Sequence, residues 1–487
     1  MDSNSVLNIF REITAIPRES GHEGPMTSYL VEFARKHSLE CKVDSTGNVL
    51  ITKEASRGRE NVPTLVLQSH QDMVCEKVDG SSHDFAKDPI RYEIRDGWMV
   101  ADETTLGADD GIGIAASLAI LESDLETGRL ECLFTISEET GMDGAMSMES
   151  GFFTGKTLIN LDSEDEGQLF VGCAGGVSTF AEFSYAQEDA APGSIPVRFK
   201  IFNAMGGHSG DDINKERMNT VQQMARFLYS LENTAPWQLV SFNGGGKHNA
   251  IARNCEATVL VPEDKADCAI SCFNTFFAAL RNEFATSDPD VKGEATRISS
   301  SPDADSPCCS RGKAVENSVA RSMVAALVAV HHGVLSMSSD IPGLVETSSN
   351  LASVKMSKPG VIEVCTSQRS SVDSARTFMA DKVEACFRLA GATTRRTDPY
   401  PGWKPNMDSH ILDVCAKSYR KLFGTEPEIK AIHAGLECGL FLEKFHDLDM
   451  ISFGPTLRGV HAPGERLDLA SNEKFVQHLM DVVTNFC

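Results

Sequence analysis

Two hydrophobic rhythms alternate through the first 185 residues. Residues 5–15 and 25–37 place apolar side chains at helical spacing, which predicts two amphipathic helices. Residues 41–52 read as a hairpin turning at Ser45-Thr46-Gly47-Asn48. Short, mainly apolar runs at 64–68, 130–136 and 157–161 have the character of strands covered on both faces. Residues 111–121 form a helix rich in Gly and Ala, suited to close packing on a sheet. Alternation of this kind predicts an α/β layer, with a mixed, largely parallel sheet flanked by helices.

The rhythm then changes. Residues 194–203 read as a strand, 215–230 as a helix, and 249–254 with 255–262 as a strand pair. Residues 316–330 are helical, 350–355 and 361–367 are strands, and 373–389 are helical again, so the order repeats. This predicts an α+β insertion with an internally duplicated antiparallel sheet carrying helices on one face. The polar, Pro-containing stretch 299–311 is expected to be an exposed loop between the halves. The expected boundaries are 1–186 and 396–487 for one discontinuous domain and 187–395 for the insertion.

Size and charge narrow the functional classes. A chain of 487 residues is too long for one core. Its 41% hydrophobic and 23% charged residues are ordinary for a water-soluble protein, and no apolar run is long enough to span a bilayer. The first residues are acidic and amphipathic rather than basic then apolar, so no secretory signal is expected. A formal charge of −24 disfavours a nucleic-acid partner, because phosphate binding needs a basic surface. The 14 cysteines include no Cys-x-x-Cys; Cys308-Cys309 and the Cys268/Cys272 pair do not match zinc-finger spacing. Reduced thiols and a cytoplasmic location are the expectation.

Five metal-competent side chains occur in short, polar, Gly-marked segments near the ends of strands. They are His70 in Ser-His-Gln-Asp, Asp109 in Gly-Ala-Asp-Asp-Gly, Glu139 in Ser-Glu-Glu-Thr-Gly, Asp162 in Asn-Leu-Asp-Ser and His461 in Val-His-Ala-Pro-Gly. Two imidazoles and three carboxylates suffice for a pair of divalent ions with one carboxylate bridging. Taken singly, each has a plainer reading. Asp109 and Asp110 precede a helix and one of them can be its cap; Glu138-Glu139 can be a surface pair. On an extended segment Asp72 shares a face with His70 and can orient its ring. His461 lies far along the chain, so residues beyond about 400 are expected to return to the first domain. No Gly-x-Ser-x-Gly elbow is present, which disfavours a serine mechanism.

In this order the segments resemble the co-catalytic metallopeptidases of the aminoacylase and carboxypeptidase G2 type. Within that family they are most similar to the aminoacyl-histidine dipeptidase subgroup (peptidase D, cytosol non-specific dipeptidase). Ser-His-Gln-Asp-Met-Val-Cys-Glu-Lys, Thr-Thr-Leu-Gly-Ala-Asp-Asp-Gly-Ile-Gly, Asn-Leu-Asp-Ser-Glu-Asp-Glu-Gly and Val-Gly-Cys-Ala-Gly-Gly carry the likeness. So do Gly-Gly-His-Ser-Gly-Asp-Asp-Ile, Tyr-Pro-Gly-Trp-Lys-Pro, His-Ala-Gly-Leu-Glu-Cys-Gly and Ser-Phe-Gly-Pro-Thr. The resemblance implies two divalent metal ions per chain, zinc first, with manganese or cobalt able to substitute. Asp109 would bridge them, His70 and Asp162 completing one ion and Glu139 and His461 the other, with a cis peptide between Asp109 and Asp110. Glu138 would be the general base and Asp72 would orient His70.

The same resemblance makes the insertion a lid and dimerisation domain, and the expected assembly a homodimer. It places His208 near the oxyanion, from its own chain or across the dimer, and Asn249 and Arg369 on the substrate's carboxylate and backbone. His433 and Glu437 would lie near the substrate's amino group. His248 has no implied role, and His331, His332 and His446 read as ordinary surface or core residues. The implied activity is hydrolysis of unblocked dipeptides such as Xaa-His. The competing readings are an N-acyl amino acid amidohydrolase on the same scaffold and a non-catalytic binding protein.

Overall fold

The computed structural model describes residues 2–298 and 312–487, so the loop expected at 299–311 lies outside the described residues. The chain divides into two compact units. One comprises Met1–Cys173, Trp403–Ala431 and Leu436–Cys487; the other comprises Ala174–Gly402 and Ile432–Gly435.

The first unit is built on an eight-stranded sheet. Its order is Glu40–Val43, Val49–Lys53, Leu130–Thr135, Leu65–His70, Thr157–Asn160, Asp449–Ser452, Gln168–Cys173 and Glu428–Ile432. Leu130–Thr135, Leu65–His70, Thr157–Asn160 and Asp449–Ser452 run parallel to one another. The hairpin Glu40–Val43/Val49–Lys53 and the strand Gln168–Cys173 add antiparallel flanks. Every residue of Leu65–His70 and Leu130–Thr135 is buried, which is why these strands read as mainly apolar runs without alternation. The helix Ala108–Glu122 is buried from Ala108 to Leu121. Its glycines permit this: a Cβ at Gly111 would lie 2.9 Å from Phe10 Cε2, an atom of the neighbouring helix Ser3–Ile13. That first helix starts at a reciprocal capping box between Asp2 and Ser5.

The second unit holds a nine-stranded sheet in which every strand pair is antiparallel. Two runs of strand-helix-strand-strand-helix-strand make it up. One is Ser194–Phe202, Thr220–Leu231, Gln238–Gly245, Cys255–Pro262, Ala266–Glu283 and Lys292–Arg297. The other is Gly175–Ser184, Asn317–Ala329, Val345–Lys358, Val361–Ser370, Asp373–Leu389 and Thr393–Arg396. The two runs meet where Gln238–Gly245 pairs with Val345–Lys358, and their strands appear in mirrored order outward from that seam. The split β-α-β-β-α-β motif therefore occurs twice. An extra strand, Gly333–Met337, pairs beside Val345–Lys358.

Two local expectations change. The helix expected from residue 215 starts at Thr220, because Asn219 caps it by accepting from the Gln222 N–H at 3.1 Å. Lys215 and Arg217 pair instead with Asp212. Residues 249–254 supply only the short strand Ala250–Ile251, which pairs with Gly207–His208. Cys255–Pro262 takes Ser194–Phe202 and Gln238–Gly245 as its partners.

One core serves both repeats, and Phe273 sits in it fully buried, its ring 5.2 Å from Phe199 and 5.0 Å from Phe227. Phe273→Ala is expected to cost about 3–5 kcal/mol through lost burial and the cavity left behind, read as a lowered denaturant midpoint. Among the described residues no helix is long and apolar enough to cross a membrane.

Candidate metal centre

Three adjacent parallel strands deliver acids and an imidazole to one rim. His70 is the last residue of Leu65–His70, and Asp162 lies just past Thr157–Asn160. Glu138 and Glu139 open a single helical turn after Leu130–Thr135. Carboxyl ends of parallel strands are where open α/β sheets place their sites. Asp109 comes from the start of Ala108–Glu122, where Asp109 and Asp110 depart from helical geometry and the peptide between them is cis. His461 comes from the C-terminal segment, which returns to the first unit as expected. It sits in a turn between Leu457–Arg458 and Arg466–Asp468, part of a small four-stranded sheet with Trp98–Ala101 and Tyr92–Arg95.

The side chains converge. His70 Nε2 is 3.0 Å from Asp109 Oδ1 and 3.7 Å from Asp162 Oδ1. His461 Nε2 is 3.1 Å from Asp109 Oδ2 and 2.9 Å from Glu139 Oε1. Within each of the triads His70/Asp109/Asp162 and Asp109/Glu139/His461, the candidate ligand atoms lie within 4.8 Å of one another. Asp109 thus presents one oxygen to each triad. Its neighbour Asp110 turns away and accepts from the Gly113 N–H at 3.2 Å, the capping role.

Asp72 organises more than His70. Its Oδ1 is 3.3 Å from His70 Nδ1. The same oxygen accepts from the Glu138 N–H at 3.0 Å, while Oδ2 accepts from Glu139 N–H at 3.2 Å and Ser20 Oγ–H at 2.8 Å. One carboxylate therefore fixes both an imidazole and the turn bearing the two glutamates. Glu23 holds the same turn from behind, accepting from Ser137 N–H and Oγ–H, each at 2.9 Å.

Charge in this rim is strongly coupled. Burial pushes Asp109 up, but hydrogen bonds from His461 and His70 outweigh it and hold the carboxyl well below its usual range. Burial and Asp109 push Asp162 up to about 6. Burial, Asp162, Glu139 and Glu437 push Glu138 well above an ordinary glutamate. Burial disfavours a charged His461, yet Asp109 and Glu139 raise it to about 11. Imidazoles drawn so far toward protonation mark a nest with too many carboxylates for its cations.

Glu437 lies in the same unit, 1% exposed, its Oε2 accepting from Gln68 Nε2–H at 2.7 Å and Thr135 Oγ1–H at 2.8 Å. Among the described residues its Oε1 is buried without a hydrogen-bond partner, and burial raises the acid to about 8. His433, four residues earlier, belongs to the second unit.

The second unit gathers its own polar cluster. Arg369, 6% exposed, donates from Nη1 to Tyr400 Oη at 3.2 Å and from Nε to Ser209 Oγ at 3.4 Å. Among the described residues no carboxylate forms an ion pair with it. His433 Nε2 lies 2.7 Å from Ser348 Oγ, and burial with the nearby Arg369 lowers this imidazole to about 3. His208 Nδ1 is 3.1 Å from Asp211 Oδ2. Asn249 accepts from the Ser209 N–H through its carbonyl at 2.8 Å. His248 joins this group, lowered by burial, Arg369 and His208. His332 is a half-buried structural residue whose Nδ1 accepts from the Leu351 N–H at 3.2 Å.

The profile of Peptidase family M20/M25/M40 matches residues 66–485. The chain belongs to this peptidase family. It is similar to the cytosol non-specific dipeptidase of Escherichia coli strain K12, at 37% identity over 466 residues, covering 95% of this chain and 94% of that one. Among solved structures it is similar to the aminoacylhistidine dipeptidase of Vibrio alginolyticus, with a TM-score of 0.88 at 35% identity, covering 99% of this chain and 96% of that one. The aminopeptidase PepT of Bacillus cereus shares the fold, with a TM-score of 0.56 at 15% identity over 99% of this chain and 98% of that one.

For a metallopeptidase of this family the donor set fits divalent cations. Two imidazole nitrogens and carboxylate oxygens form two triads around a shared aspartate, and the excess of negative charge is what cations would neutralise. Sequence reasoning missed Ser20, Glu23, Gln68 and Thr135, which hold Asp72, Ser137 and Glu437. Their signal is faint because each acts through backbone or a buried acid rather than through a motif. Tyr400 and Ser348 were missed likewise, although the Tyr-Pro-Gly-Trp phrase contains the first.

Proposed function

We propose that this peptidase is a di-metal dipeptidase that hydrolyses unblocked dipeptides such as Xaa-His, zinc being the metal that its nitrogen and oxygen donors suit best. The observation that carries the reading is Asp109, whose two carboxylate oxygens face separate histidine–carboxylate pairs. His70, Asp109 and Asp162 would hold one ion, and Asp109, Glu139 and His461 the other. Bound there, the ions supply a more acidic water and a polarised scissile carbonyl.

The chain's own residues do the rest. Glu138 takes a proton from the attacking water and passes one to the leaving amine; a half-buried carboxylate whose pKa lies well above normal is suited to both halves of that task. Asp72 keeps the His70 ring and the Glu138–Glu139 turn in register. His208 stabilises the oxyanion, and Asn249 and Arg369 hold the substrate's backbone and carboxylate. Arg369 favours this role because its guanidinium is buried and, among the described residues, forms no ion pair with a carboxylate. His433, its imidazole kept neutral by burial and by Arg369, lies with Glu437 near the substrate's amino group. Glu437 takes the free amino group, for which its unpartnered Oε1 is an acceptor. The second unit acts as lid and dimerisation domain of a homodimer. A cytoplasmic location agrees with the free thiol state of every described cysteine.

Arg369→Met is expected to raise KM for dipeptides by about 10- to 100-fold, the equivalent of one charge-assisted hydrogen bond of roughly 1.5–3 kcal/mol. Metal content should stay unchanged; a drop in kcat at constant KM would remove Arg369 from carboxylate binding. The reading as a whole is tested by hydrolysis of free and N-acetylated dipeptides, with and without a chelator. Cleavage of the free forms alone, abolished by chelation and restored by metal, is the expected pattern. Preference for the acetylated forms would make the enzyme an N-acyl amino acid amidohydrolase.

A further inference from the structure

Arg18 and Glu465 are both only 2% exposed, and neither belongs to the ligand set. Glu465 accepts three consecutive backbone N–H groups of the loop that leads into Asp109: Leu106 at 2.8 Å and Gly107 at 3.1 Å through Oε2, and Ala108 at 2.8 Å through Oε1. Arg18 donates to the carbonyls of Gln71 at 3.1 Å and Asp72 at 2.7 Å through Nη1, and to the Gly107 carbonyl through Nη2. Gly107 is thus held on both sides, its N–H by the acid and its C=O by the base.

Buried charges are costly unless compensated. Here each is met by backbone dipoles and by the opposite charge across the same loop. The arrangement also explains the glycine. Gly107 has φ +67, and a Cβ there would lie 2.5 Å from Arg18 Nη2 and 2.7 Å from Met73 Sδ.

We infer that Arg18 and Glu465 are positioning residues that set the metal centre by locking the Leu106–Ala108 loop to the His70–Asp72 segment and to the His461 turn. Arg18 spans the first two of these. Glu465 stands four positions after His461, so one carboxylate ties the turn bearing that imidazole to the loop bearing Asp109. Backbone bonds from Gly464 N–H to Thr104 C=O and from Ala101 N–H to Glu465 C=O, both 2.9 Å, steady the turn itself. They do not reach Asp109. Because Asp109 must present one oxygen to each triad, a small rotation of its loop withdraws one of them. The inference rests on the two-metal reading above.

The test uses the full-length chain and Glu465→Gln, which puts an amide N–H₂ against backbone N–H donors. Arg18→Lys, which keeps the charge but loses the fork, is the second variant. Each is loaded with cobalt and examined by its visible absorption spectrum, and zinc affinity is measured by chelator competition. A change in the cobalt spectrum is expected, with one zinc bound about 10- to 100-fold more weakly and kcat falling more than KM changes. The thermal midpoint of the metal-loaded variants should stay near that of the parent. Parental spectrum and affinity in both variants, with only the thermal midpoint lowered, would overturn the inference and leave a purely structural pair. Should Glu465→Gln not fold, Arg18→Lys carries the same readouts. A parent chain that binds fewer than two ions would instead defeat the two-metal reading, so the two failures are distinguishable.

Discussion

Asp109→Asn is expected to dismantle both metal positions and lower turnover by about 10³-fold or more, since bound metal supplies several kcal/mol of transition-state stabilisation and each 1.36 kcal/mol is tenfold in rate. One carboxylate oxygen faces His70 and Asp162, the other His461 and Glu139. An amide offers a single oxygen, and its nitrogen does not ligate, so one triad loses a donor outright. The negative charge that both ions share disappears as well. Metal analysis after dialysis should find well below two ions per chain. His461 belongs to one of the two triads that share Asp109, so His461→Ala should weaken one ion and spare the other. If Asp109→Asn lowered a single site while the second kept its parental affinity, the shared role would be wrong.

Glu138→Gln is expected to give the opposite combination, with metal content intact and kcat lowered by about 10²- to 10⁴-fold, the range of a lost general base. Glu138 stands beside the centre without joining the two triads that share Asp109, and its backbone N–H is fixed by Asp72. Its carboxyl lies well above the usual range because burial and the acids Asp162, Glu139 and Glu437 disfavour its ionised form. The amide keeps the shape and removes the proton acceptor. KM should change little, because the water's proton is not part of ground-state binding. Loss of metal in this variant would reassign Glu138 as a ligand.

Much of the centre was legible because its residues follow apolar runs that can only be buried strands. Leu65–His70, Leu130–Thr135 and Thr157–Asn160 each end in or just before a polar residue that the parallel arrangement brings to one rim. The duplication was legible only in part: the inner strand Gln238–Gly245, the helix Ala266–Glu283 and the strands Lys292–Arg297, Gly175–Ser184 and Thr393–Arg396 were not read. Gly175–Ser184 precedes the first repeat yet pairs within the second, and chain order alone does not reveal that. Thr393–Arg396 is too polar to read as a strand. Residues 215–217 favour helix by composition, but their side chains are better used on Asp212, and Asn219 starts the helix later. The turn carrying His461 was hidden because its strands are only two and three residues long.

The supporting acids were least visible. Glu23, Glu465 and the second task of Asp72 consist of accepting backbone N–H groups from loops far away in sequence. Such a role has no periodicity and no preferred neighbour. It depends on where a distant peptide plane points, and only the folded chain decides that.

The central claim is that two divalent ions share Asp109. Anomalous diffraction at the zinc edge, from crystals of the zinc-loaded protein, addresses it directly. Two peaks are predicted: one within bonding distance of His70, Asp109 and Asp162, the other of Asp109, Glu139 and His461. A single peak, or two peaks of which one lies out of reach of Asp109, would contradict it.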